Sequence, residues 1–154
     1  MRKRVLFSLV LTVLLTITGC NANSEQEKVL TCTRTATISD GIKMDLNYKA
    51  TYKGEYVQLV ETTEKIITDN TAYLEAYKSS VENLYSPYKK IEHYNYNVEI
   101  KDNTLISTTK IDYSKIDTNK LIEIDSANES LIKDGKIKID DIKSLYESMG
   151  ATCK

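Results

Sequence analysis

"IKMDLNYKATYKGEYVQLVETTEKII", residues 42–67, decides the fold. Ile42, Met44, Leu46, Tyr48, Ala50 and Tyr52 alternate with Lys43, Asp45, Asn47, Lys49 and Thr51. A period of two puts one set on a buried face and the other in water, the signature of a half-buried strand. Lys53 and Gly54 supply a short turn in which Gly54 is free to take positive φ, and residues 55–67 return as a second strand. Upstream, "VLTCTRTATI" at 29–38 sets Leu30, Cys32, Ala36 and Ile38 on one face and threonines on the other, before a turn at "SDG", 39–41. The result is a three-stranded antiparallel meander with Cys32 facing inward.

Downstream of the meander the period changes. Asp69, Asn70 and Thr71 are helix-capping residues, and Tyr73, Tyr77, Val81, Leu84, Tyr85 and Tyr88 then recur at helical spacing. Pro87 ends that helix. Tyr94, Tyr96, Val98 and Ile100 share the face of one strand. Asp102 and Asn103 turn the chain, and Leu105, Ser107, Thr109 and Ile111 share a face on the way back. Between Ser114 and Lys138 the pattern predicts only a short helix near 117–122 and loops around Gly135. A terminal helix follows, with Asp140 as its cap, Ile142, Leu145, Tyr146 and Met149 as its stripe, and Gly150 as a left-handed stop. The order βββ-α-ββ-α predicts an α+β domain over residues 29–154, an antiparallel sheet of about five strands with helices packed on one face.

The first residues bear on location. Arg2, Lys3 and Arg4 precede a run from Val5 to Thr18 with no charged side chain, the layout of a secretory signal. At ~1.5 Å per residue that run reaches only about 21 Å against a hydrocarbon core of about 30 Å, so it is too short to span. It ends in "ITGC", 17–20, which resembles the lipobox of bacterial lipoproteins. The expectation is that residues 1–19 are cleaved and that the thiol of Cys20 carries a diacylglyceryl anchor. Two fatty-acyl chains, at ~0.8 kcal/mol per buried methylene, hold a protein to a membrane where one does not. The polar string that follows, with Cys20 residues 20–28, reads as a linker that keeps the domain close to the bilayer on the extracytoplasmic side.

Removing the three leader cations from the chain's 21 basic residues leaves 18 against 22 acidic ones, a net charge of −4 for the mature chain. That argues against a nucleic-acid partner. Abundant Lys, Ile, Asn and Tyr with few Pro, Gly and Trp suggest a low-GC Gram-positive source, and hence a Gram-positive cell surface. With Cys20 committed to lipid, Cys32 and Cys153 form a pair with a single possible connectivity. A structural bridge would close a loop of about 120 residues, worth on the order of 4 to 5 kcal/mol by chain entropy. The alternative, a redox-active dithiol, lacks the close spacing of such motifs.

Catalytic patterns are sparse. His93, the one histidine, falls on the polar face of its strand, so neither a Ser-His-Asp set nor a zinc site is expected. No glycine-rich phosphate loop is present. Asp140 and Asp141 open a helix and read as cap and dipole partners before an acid/base pair. Eleven tyrosines without a tryptophan are the compositional oddity. Tyr48, Tyr52, Tyr94 and Tyr96 fall on the apolar faces of their strands and read first as core, with an aromatic groove for a sugar or peptide as the alternative.

The lipobox "ITGC", the threonine-rich first strand, the "DLNYKATYKGEYV" hairpin, the tyrosine-bearing helix and the ending "SLYESMGATCK" together resemble the YehR-like family of small bacterial lipoproteins, a domain of unknown function. The resemblance implies a single α+β domain on a lipid anchor, with no cofactor and no catalytic residues to carry over. It also supports a Cys32–Cys153 bond, since paired cysteines near both ends look like a feature of some relatives. The leading expectation is therefore a non-enzymatic binding or interaction module that engages an envelope protein or ligand. One rival is a cell-wall- or peptide-directed hydrolase using acids such as Asp45, Glu61 or Glu64 that converge in the fold. A small-ligand-binding lipoprotein is the other, although a domain of this size offers no interdomain cleft.

Overall fold

The computed structural model describes residues 25–154. The expected signal peptide and Cys20 lie outside the described residues. Three long strands, β1 (Lys28–Ser39), β2 (Ile42–Lys53) and β3 (Tyr56–Ile67), form the expected meander. Helix α1 (Thr71–Tyr85) follows, capped by the Asn70 side chain, which accepts from the Tyr73 amide at 3.0 Å. At Pro87 it tightens into a 3₁₀ turn over Ser86–Lys90. A second hairpin pairs β4 (Tyr94–Lys101) with β5 (Thr104–Asp112), and α2 (Thr118–Ile124) is capped by Asp117.

The sheet has six strands, all antiparallel, in the spatial order given by these five and one more, β8 (Thr152–Cys153): β4-β5-β3-β2-β1-β8. The sixth strand is the chain end itself. Two residues carry no detectable period, so sequence patterning stops at five. Around Gly135 the chain makes a small hairpin, β6 (Ile132–Lys133) and β7 (Lys136–Ile137), where plain loops were expected. Asp134 and Gly135 both take positive φ, 51° and 73°, the Asp-Gly turn that hairpins favour.

The terminal helix α3 (Ile139–Ser148) begins two residues earlier than its sequence suggests. Lys138 holds the cap position without a side-chain cap bond, and Asp140 and Asp141 lie in the first turn, where their charge meets the helix dipole. The Ile139 amide instead donates to the Glu55 carbonyl at 2.9 Å. Gly150 (φ 83°) ends the helix, with Ala151 N–H bonded to the Tyr146 carbonyl and Gly150 N–H to that of Glu147, a Schellman cap. That cap turns the chain so that Cys153 arrives opposite Cys32, to which it is disulfide-bonded.

Two other expectations fail locally. Ile38 is 48% exposed, because the register slips between Thr37 and Ser39 and a bulge carries it off the packed face. His93 is not on a strand but in the turn before β4, at φ 70°, with Nε2 3.6 Å from the Glu92 carboxylate.

The helices cover one sheet face unevenly: α1 packs over β4 and β5, and α3 over β1 and β8. Two apolar clusters result. One centres on Ile66, Leu74 and Leu105 under α1; the larger includes Cys32, Tyr48, Val60, Tyr94 and Ile142. Between them the covered face turns polar, since Thr62 lies across from Thr109 and Glu64 across from Ser107.

Candidate functional site

The polar seam and the gap between the helices coincide. Where α1 and α3 diverge, a cavity of about 220 Å³ opens over the middle strands. Tyrosines from five separate places converge on it: Tyr48 from β2, Tyr85 from α1, Tyr94 from β4, Tyr113 just past β5, and Tyr146 from α3. Aliphatic side chains, among them Val60, Ile111 and Ile142, and the hydroxyls of Thr62 and Thr109 complete the wall. None of its lining residues is charged. A second cavity of about 270 Å³ shares Tyr85, Tyr94, Ile111 and Tyr113 and leads toward Asp125 and Asn128.

Local structure explains each placement. Tyr48 is the fourth inward residue of β2, and Tyr94 the first of β4. Tyr85 is the last residue of α1, left facing the gap as the helix tightens at Pro87. Tyr113 continues the alternation of Ile111 by one step. Tyr146 stands one turn beyond Ile142 on α3, and its ring lies 4.1 Å from that of Tyr48, centroid to centroid.

Burial sets the chemistry of the hydroxyls. It pushes the phenols of Tyr113 and Tyr146 up to about 12 and those of Tyr48 and Tyr94 well above the ordinary tyrosine range. All four are therefore neutral at physiological pH. Tyr48, only 3% exposed, has a hydroxyl without a partner among the described residues. Such an orphan costs ~1–3 kcal/mol. Outside this wall Tyr77 donates to Glu64 Oε1 at 2.7 Å.

Of the four tyrosines expected from the sequence, the fold brings Tyr48 and Tyr94 to this cavity. Tyr52 packs on the rim of the larger cluster, and Tyr96 meets Tyr85 at a tilt, 5.5 Å between ring centroids, with the Lys89 ammonium 5.0 Å from its ring. Tyr85 and Tyr146 were legible only as helix stripe, and Tyr113 not at all as a site residue. The usable signal was the inner-face series Val60, Thr62, Glu64, Ile66 and its partner Leu105, Ser107, Thr109, Ile111, both apolar at the ends and polar in the middle.

The three acids do not converge. Asp45 accepts from Thr35 at 2.8 Å and Glu61 pairs with Lys110 at 2.8 Å, both on the solvent face, where the Lys110 hydrogen bond holds the Glu61 carboxyl below its usual range. Glu64 lies on the opposite, helix-covered face with Tyr77.

Fold and cavity define the class: a small α+β domain, one antiparallel sheet with helices on a single face and a tyrosine-lined gap between them. The chain belongs to the DUF1307 family, described as proteins of unknown function, whose model matches residues 31–152. Its fold is similar to the NMR structure of the YehR protein of E. coli, with a TM-score of 0.56 at 21% identity over 82% of this chain and 91% of that one. It is also similar to the NMR structure of a protein from Streptococcus pneumoniae TIGR4, with a TM-score of 0.55 at 16% identity over 100% of this chain and 97% of that one. No curated protein matches.

Proposed function

We propose that this chain is a lipid-anchored lipoprotein on the extracytoplasmic face of a bacterial cell membrane, whose domain is a non-enzymatic module that binds its ligand between α1 and α3. The address rests on "ITGC" at 17–20 behind a short uncharged run, and the mature chain's surplus of acids leaves attachment to the lipid on Cys20. The carrying observation for binding is the cavity itself: five tyrosines from non-adjacent elements around an uncharged space. Concave, largely apolar walls with a few placed hydroxyls are what small-molecule sites are made of. A cleft inside one domain thereby replaces the interdomain cleft that larger uptake lipoproteins use. The hydrolase reading loses its support because Asp45 and Glu61 sit on the face opposite Glu64.

Two measurements test the proposal. Full-length protein expressed with labelled palmitate is expected in the membrane fraction, labelled and beginning at Cys20, and Cys20→Ser abolishes the label. Organic extraction of the purified protein, read by mass spectrometry, is expected to release a small molecule near one equivalent. An unlabelled product beginning at Met1 overturns the address; a preparation that releases nothing counts against the binding module.

A further inference from the structure

We propose that the α1 side of the gap holds the ammonium group of a protonated aliphatic amine, paired with the Glu64 carboxylate, while the amine's uncharged stem lies in the larger cavity between α1 and α3. This rests on the binding role inferred above and specifies its ligand class.

Under the C-terminal half of α1 lies a smaller cavity of about 90 Å³, lined by Glu64, Tyr77, Tyr85 and the hydroxyl-bearing Thr62, Ser107 and Thr109. It has room for a head group, not for a whole ligand. Thr62, Tyr85 and Thr109 also line the cavity of about 220 Å³, so the two spaces share a wall. Glu64 is the one charged residue around either of them. The alternation of β3 puts it there: Glu61, three positions earlier, falls on the solvent face and finds Lys110, whereas Glu64 is carried under the helix beside Ser107.

That carboxylate lacks a counter-charge. Tyr77 donates to one of its oxygens at 2.7 Å, yet no lysine, arginine or histidine pairs with it among the described residues. An ammonium group brings one positive charge and three donors, and the hydroxyls of Thr62, Ser107 and Thr109 can accept those that the carboxylate leaves over. A divalent metal ion takes several oxygen ligands and more negative charge than one carboxylate supplies. The rings favour a cation too. Burial, and after it the Glu64 carboxylate, raises the phenols of Tyr77 and Tyr85, so both stay neutral and present aromatic surface to a positive group. Leu84 on α1, 63% exposed, edges the small cavity and Leu145 on α3, 38% exposed, the larger one. Between them an aliphatic stem has apolar surface to follow.

The test compares n-butylamine, protonated near neutral pH, with n-butanol, which matches it in size without the charge. Equilibrium dialysis against the full chain in detergent, with protein-free micelles as blank, reads both. The wild-type protein is expected to hold the amine about tenfold more tightly than the alcohol, through the charge-assisted contact. Glu64→Gln, whose amide carbonyl still accepts from Tyr77, abolishes that preference and leaves butanol uptake unchanged. Glu61→Gln removes the same charge from the solvent face and leaves the preference intact. In isotope-labelled wild-type protein the NMR signal of the Glu64 carboxyl shifts with the amine and not with the alcohol, a reading that needs no variant to fold. Equal affinity of the wild type for the two compounds, a preference that survives in Glu64→Gln or is lost equally in Glu61→Gln, or a Glu64 signal that the amine does not move overturns the inference. So does extraction of a bound molecule without an amino group, a result the binding module survives, so the two proposals fail separately.

Discussion

Cys32 and Cys153 face each other directly across β1 and β8, and the next residues, Thr31 and Lys154, exchange both backbone hydrogen bonds at 2.9 Å. The bond between them spans 121 positions of sequence, and Cys32 is fully buried. A two-residue strand has little of its own to hold it; the disulfide and the Gly150 cap fix it in place.

Opening that bond should cost stability. Loop-closure entropy for a ring of this length predicts a loss of about 3–5 kcal/mol on reduction or in the double variant Cys32→Ala/Cys153→Ala. Urea unfolding with and without reductant measures it. An unchanged midpoint would mean that the thiols are free in the folded protein.

Gly150 controls how the chain reaches that bond. At φ 83° an added Cβ strains the backbone, so Gly150→Ala is expected to destabilise the domain by about 1 kcal/mol and to slow closure of the disulfide. Free-thiol titration during oxidative refolding reads the second effect.

Tyr48→Phe should raise stability in the absence of ligand. It removes a buried hydroxyl that has no partner among the described residues and keeps the ring against Tyr146, a gain of ~1–3 kcal/mol. Tyr48→Ala instead leaves a void and is expected to cost ~3–5 kcal/mol. Opposite signs at one position, measured by urea unfolding, separate packing from the hydroxyl.

Tyr77→Phe tests the polar seam. Its hydroxyl donates to the Glu64 carboxylate at 2.7 Å between the two apolar clusters, and loss of a hydrogen bond to a charged group predicts ~1.5–3 kcal/mol of destabilisation. A change under 0.5 kcal/mol, about what an ordinary surface substitution gives, would mean the seam is solvated.

Alkali should unfold the protein together with the ionisation of Tyr113 and Tyr146. Tyr113 and Tyr146 titrate near 12 in the fold against 10.0 when exposed, so in that interval the unfolded chain has already released protons that the native chain retains. Stability from this source is whole below pH 10 and falls as pH rises toward 12. Absorbance of tyrosinate and circular dichroism, followed together, are expected to change at the same pH. A phenolate signal from these two residues at pH 10, with the fold intact, would contradict their burial.

The sequence by itself determined what rests on local periodicity. Alternation in 42–52 fixed the central strand and its inward face, Asn70 fixed the start of α1, and Gly150 the end of α3, because strands, caps and left-handed stops are set by neighbours a few positions away. Asp134-Gly135 could have been read the same way, as a hairpin. Tertiary structure alone decided the rest. The sixth strand exists because a disulfide and a helix cap bring residue 153 to residue 32. The cavity exists because α1 and α3 settle over opposite halves of one sheet, leaving Tyr48, Tyr85, Tyr94, Tyr113 and Tyr146 around a common space. Each of those rings has the pattern of a core residue on its own element. Whether five such rings fill a core or enclose a gap depends on how far apart two helices pack, a distance that no local pattern encodes.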